Sequence, residues 1–188
     1  MPTFDDLVGR FWDRSSTYLV NDPLTQSDIA HAEQLLGVKL PSGYLWLLQA
    51  QNGGQTAADF RAHPSPIPTS WSDDHVPFEE CFGIGSGYGS IMESPELSRE
   101  WGQPAELVLL CGDGHWWIAL DYRQCGPAGE PPVVWYDNEI GEDVRLAPDS
   151  VRLSRGFDQS KPSRPSSESR SSVWIENSEP SAASSRKC

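Results

Sequence analysis

Between Leu107 and Leu146 the chain abandons helical spacing. Leu107-Val108-Leu109-Leu110-Cys111 is a short, continuous apolar run, and Gly112-Asp113-Gly114 is a turn signal directly after it. In the next run Trp116, Ile118, Leu120 and Tyr122 alternate with Trp117, Ala119 and Asp121, a period of two that belongs to a strand. Val133-Val134-Trp135-Tyr136 and Val144-Arg145-Leu146 extend the series past the loop CGPAGEPP. Short connections of this kind join antiparallel neighbours, so residues 107–146 predict a meander.

The first fifty residues have the other period. Leu7, Val8, Phe11 and Trp12 continue a stripe that starts at Phe4, with Thr3 placed to cap it. Thr25 opens a second helix with an acid, Asp28, three positions on; Ile29, Ala32, Leu35 and Leu36 form its apolar face, and Gly37 ends it. Pro41 starts a third helix with Tyr44, Leu45, Leu47 and Leu48 inward, which Asn52-Gly53-Gly54 terminates. Residues 57–90 are rich in Pro and Gly and predict loops with a short strand near Phe82-Gly83-Ile84. Ser94-Pro95-Glu96 predicts an N-cap and a short helix to Trp101. Helices first and strands after give an α+β class, a mainly antiparallel meander with N-terminal helices packed against it.

Composition changes at residue 150. Residues 151–188 include 12 Ser, with seven basic and four acidic side chains; residues 1–150 carry seven basic and 23 acidic ones. The expected organisation is a folded domain over 1–150 and a Ser/Arg/Pro-rich tail over 151–188 with too little apolar surface to fold, Val173-Trp174-Ile175 being its one cluster. A loose latch of the basic tail on the acidic body is a minor alternative. No apolar run approaches the roughly 20 residues of a membrane span, and the N-terminus lacks a secretory signal, so a cytoplasmic protein is expected. Cys81, Cys111, Cys125 and Cys188 form no CxxC pair and no zinc spacing, so reduced thiols and no cofactor are expected.

Few residues point to chemistry. Asp113, His115 and Asp121 could form a hydrolase or metal site, but Asp113 sits in a turn that wants Asp on backbone grounds. Gly83, Gly85, Gly87 and Gly89 fit neither dinucleotide nor Walker spacing, and no Lys lies near them, so they read as loop and bulge glycines. Among the eight Trp, Trp12, Trp46, Trp116 and Trp135 fall on apolar faces, while Trp71 and Trp117 are the candidates for exposure, and with it for a glycan-stacking face.

Charge says more. The formal net charge is −13, which repels nucleic acid and anionic lipid and attracts a basic protein. The candidate partner-binding residues are Asp73, Asp74, Glu79, Glu80, Glu139, Glu142 and Asp143, with Trp71 as an aromatic anchor. Oligomeric state is not fixed by the sequence; a monomer is the default expectation.

Two blocks resemble a known family. LTQSDIAHAEQLLGVKLPSGYLWLLQAQNGG, with Glu33, Leu36-Gly37, Leu40-Pro41, Tyr44 and Asn52-Gly53-Gly54, is similar to the opening of the SUKH superfamily. GDGHWWIALDYRQCGPAGEPPVVWYDNE is similar to its glycine hairpin, its Leu-Asp-Tyr-Arg strand end and its Pro-Pro-Val-Val strand before Asp137. The resemblance covers about residues 5–150. It implies an α+β fold and no catalytic motif. It implies an immunity protein, cytosolic and non-catalytic, that neutralises a toxin, often a nuclease; the yeast regulator of cell-wall assembly in the same superfamily implies the rival role of a regulatory scaffold. Members usually close with an amphipathic segment after the last strand, and the Ser-Val-Arg-Leu-Ser-Arg found here departs from that pattern.

Overall fold

The computed structural model describes residues 4–153. The Thr3 cap and the entire tail beyond Leu153, with its Val173–Ile175 cluster and proposed latch, lie outside the described residues.

Three helices come first: α1 (Phe4–Phe11), α2 (Gln26–Leu36) and α3 (Ser42–Ala50). The α2 start is a full capping box, in which the Thr25 hydroxyl receives the Asp28 N–H and the Asp28 carboxylate receives the Thr25 N–H. Gly37 ends α2 at φ 68°, a left-handed conformation that favours glycine. On α3, Tyr44, Leu47 and Leu48 turn inward at helical spacing. The Trp12 indole donates to the Leu47 carbonyl at 3.1 Å, tying the end of α1 to α3.

Residues 54–93 contain more order than their Pro and Gly content suggests. Two small antiparallel ladders form there: β1 (Gly54–Gln55) with β4 (Glu80–Cys81), and β2 (Ala62–Pro64) with β3 (His75–Pro77). The expected strand at Phe82–Ile84 is instead one bridge, Gly83 to Ser90, just after β4. Ser90 caps a 3-10 turn (Ile91–Glu93) that runs into α4 (Ser94–Trp101). Ser94 is therefore not a free N-cap. Its hydroxyl donates to the Ile91 carbonyl and receives the Leu109 N–H, which fastens α4 to the sheet.

The main sheet is the expected meander: β5 (Leu107–Gly112), β6 (Trp116–Asp121), β7 (Val133–Asp137) and β8 (Glu142–Ala147), antiparallel throughout and in chain order. Every residue of β5 is buried, and both faces of β6 are covered beyond Trp116. This corrects one expectation. Trp117 is 2% exposed, packed edge-on against Phe82, because the residue 78–84 segment and β4 shield the face that alternation alone leaves open. Trp46 reverses the other way and is 49% exposed, since it falls on the side of α3 opposite Leu47 and Leu48. Leu35 is likewise exposed on α2.

After β8 the chain turns helical at residues 150–153, and Leu153 is 2% exposed within the core. The closing segment that looked unlike the family thus begins with a buried apolar anchor.

Candidate partner-binding surface

The signature residues are occupied inside the molecule. Glu33 receives the Lys39 ammonium at 2.6 Å and the Leu40 N–H at 3.0 Å; partial burial raises its pKa, and these two donors outweigh that and hold it below the usual carboxylate range. Tyr44 donates to the Phe82 carbonyl at 2.6 Å. The Asn52 amide donates to the Asp22 and Ile84 carbonyls and accepts the Ile84 N–H, locking three segments together. Asp121 and Arg123 form a two-pronged ion pair at 2.8 Å, and Arg123 reaches on to Asp143 at 3.0 Å. Burial pushes the Asp121 carboxyl up, and the Arg123 bonds overcome that and leave it lowered.

This disposes of the catalytic constellation. Asp113 is exposed in its turn and receives the His115 N–H at 3.0 Å. His115 turns its Nδ1 to Glu139 Oε1 at 3.1 Å. Asp121 stands at the far end of β6, roughly 20 Å from His115 along a strand, and is committed to Arg123. No group of three metal-capable side chains occurs among the described residues. The glycine string is structural: the loop closes through the Gly83 N–H to the Gly89 carbonyl, and Ser90 bonds back to Gly85. Two cavities of about 390 and 270 Å³ flank Val38 and Pro127; in the first the charged lining, Glu33 and Lys39, is already paired, and the second has Glu106 as its one charged lining residue.

A different surface emerges where three connections meet at one end of the sheet. The β5–β6 turn and the β7–β8 turn are joined by Asn138, whose amide donates to the Gly114 carbonyl at 3.1 Å and whose backbone N–H donates to His115 at 2.9 Å. The 65–74 loop joins them through Trp71, whose ring meets Trp116 edge-on at 6.0 Å; Trp116 in turn stacks on Trp135 at 4.6 Å. On the other side Trp101 lies against Gly114, at φ 100°, where a Cβ would strike its ring, and 6.4 Å from His115. Trp71, Trp101 and Ile140 all remain exposed here.

Of the sequence candidates, Trp71, Asp73 and Asp74 sit on this loop, and Glu139 and Glu142 at the β7–β8 turn. Glu79 and Glu80 do not join them. They lie at β4, beyond β5 and so at the opposite edge of the sheet from β8, where Glu80 is raised by burial against the weaker help of Tyr88 at 3.5 Å. Asp143 is engaged by Arg123. Trp101 and Ile140, exposed at the same end, were not among the sequence candidates. An isoleucine in the middle of the acidic turn DNEIGED was the available signal, since burial cannot explain it.

The local charge is uncompensated. Among the described residues Lys and Arg pair with Asp13, Glu33, Asp59, Glu96, Asp121, Asp143 and Asp149, of which Asp143, next to Glu142, borders this end. Asp74 and Glu139 meet only histidines. Asp73, Asp113 and Glu142 take part in no ion pair among the described residues.

Comparison with family models decides the ancestry: SUKH_6, described as SMI1-KNR4 cell-wall, matches residues 26–151. The chain belongs to the SUKH family. The match takes in the first signature block from Gln26 onward and all of the second, and ends within the helical turn that carries Leu153. No curated protein matches the chain. Within the described residues no helix is long and apolar enough to cross a membrane. In this chain the signature residues Glu33, Tyr44, Asn52, Asp121 and Arg123 are engaged in hydrogen bonds and ion pairs that hold the scaffold together.

Proposed function

We propose that this SUKH domain is an immunity protein: a non-catalytic, cytoplasmic binder that neutralises a basic toxin domain, a nuclease, by occlusion. The observation that carries the reading is the sheet end, where exposed Trp71 and Ile140 sit among carboxylates that no Lys or Arg of the described chain offsets. A nuclease holds phosphates with Lys and Arg, and an acidic surface competes for that same ground. Opposite charges also speed encounter, and a few aromatic anchors supply most of the affinity. The same acidity disfavours nucleic acid as a direct ligand.

The regulatory-scaffold reading draws on the cell-wall description of the matched family. Gene neighbourhood separates the two, because a large toxin gene alongside favours immunity. The test is co-purification with the C-terminal domain of such a neighbour, followed by an activity assay on that domain. The expected result is a stable 1:1 complex in which the activity is silenced. A folded protein that leaves a toxic neighbour active would overturn that pairing.

A further inference from the structure

We infer that the sheet end is a receptor for an arginine side chain of the basic partner, seated on the Trp71–Trp116 step beside Asp137. The inference rests on the immunity reading for its partner and on the geometry for its chemistry. Asp137 faces Trp116 across the β6–β7 register, so both side chains occupy one face of the sheet. Its Oδ1 receives the Glu139 and Ile140 N–H groups at 3.0 and 3.3 Å. Its Oδ2 has no hydrogen-bond partner although the residue is 2% exposed, and the indole N–H of Trp116, its cross-strand neighbour, has none either. A buried carboxylate oxygen without a donor is costly, and a donor brought from outside recovers that cost.

The surroundings choose the donor. Trp71 is half exposed and its ring meets Trp116 edge-on, so indole surface is open to solvent at the step. Glu139 and Glu142 flank the entrance from the β7–β8 turn. A guanidinium is planar, weakly hydrated and forked, so it stacks on indole while it donates to a carboxylate. An ammonium is a compact, strongly hydrated point charge that does neither as well. The Trp71 loop shifts outward to admit the guanidinium, which takes Asp137 Oδ2 as its acceptor and Trp71 as its cover.

The experiment titrates the full chain with hexa-arginine and hexalysine peptides at low ionic strength, by calorimetry, while NMR follows the indole N–H of Trp71 and Trp116. Hexa-arginine is expected to bind about three- to fivefold more tightly than hexalysine and to shift both indole signals. Trp71→Ala lies on an exposed loop and should abolish that preference while the domain stays folded. Asp137→Asn should do the same where circular dichroism shows a native fold. Equal affinity for the two peptides, or a preference that survives Trp71→Ala, overturns the arginine site. A silenced toxin complex indifferent to Trp71→Ala also overturns it and leaves the immunity reading standing. An arginine preference that depends on Trp71 in a protein that captures no toxin upholds the site and sinks only the choice of partner.

Discussion

Tyr122, at the end of β6, donates its hydroxyl proton to the backbone carbonyl of Lys39 at 2.6 Å, across 83 residues of sequence. Lys39 belongs to the first signature block and Tyr122 to the second, so this bond, with that from the Lys39 N–H to the Pro127 carbonyl at 2.7 Å, fastens the helical half to the sheet half of the domain. Burial raises the Tyr122 hydroxyl pKa, which keeps it a donor at any ordinary pH. Tyr122→Phe removes the donor and strands the Lys39 carbonyl. The expected loss is about 1–2 kcal/mol of unfolding free energy, measured as a lower urea midpoint at unchanged slope. An unchanged midpoint would show that the Tyr122 bond adds nothing to the joining of the two halves.

The boundary of the folded unit gives a second prediction. Leu153 is fully within the core, three residues past the compositional break at 150. Leu153→Ala should cost about 2–4 kcal/mol through lost burial and the cavity left behind. Truncation after Asp149 should cost at least as much in a thermal melt. Truncation after Leu153 tests the tail by itself, and a melting temperature equal to that of the full chain would show that residues beyond it add nothing to stability.

His63 makes a third, through pH. Burial drives its pKa down to about 4, against the carbonyls of Pro64 and Leu153, which favour the protonated ring. The folded state therefore binds fewer protons than the unfolded state between pH 4 and 6.5. Stability is full above pH 6.5, falls as pH drops through that window, and loses about 3 kcal/mol by its lower end. Glu80, raised by burial, runs the other way, because acid relieves the cost of its charge. The His63→Gln comparison separates the two: its stability should slope less between pH 6.5 and 4 than that of the parent protein. NMR of the His63 ring should show no titration step near 6.5.

The scaffold was legible for local reasons. Thr25 and Asp28 announce a capping box from adjacent residues, and the alternation from Trp116 to Asp121 announces a strand whatever the rest of the chain does. Residues 54–81 were not, because β1 to β4 have two or three residues each and are defined by partners 25 or more positions away for β1 with β4 and 11 to 15 away for β2 with β3. Trp117 and Trp46 failed for a related reason. Alternation says which residues share a face, but only the tertiary neighbours, here Phe82, say which face is covered. At the candidate surface, charge and Trp71 were visible in the sequence. The meeting of Trp71 with Trp116, of His115 with Glu139, and the unpaired oxygen of Asp137 were not, since each joins separate connections.

An acidic sheet end that binds a basic toxin domain should reveal itself in the kinetics of encounter. The direct test is the association rate with that domain, read by stopped-flow fluorescence across ionic strengths, for the parent protein and for a variant carrying Asp73→Lys, Asp74→Lys, Glu139→Lys and Glu142→Lys. The expected rate falls steeply with salt in the parent, and the variant is slowed about tenfold or more at low salt with the gap closing as salt rises. A salt-independent rate, or a folded variant that associates as fast as the parent, would contradict it.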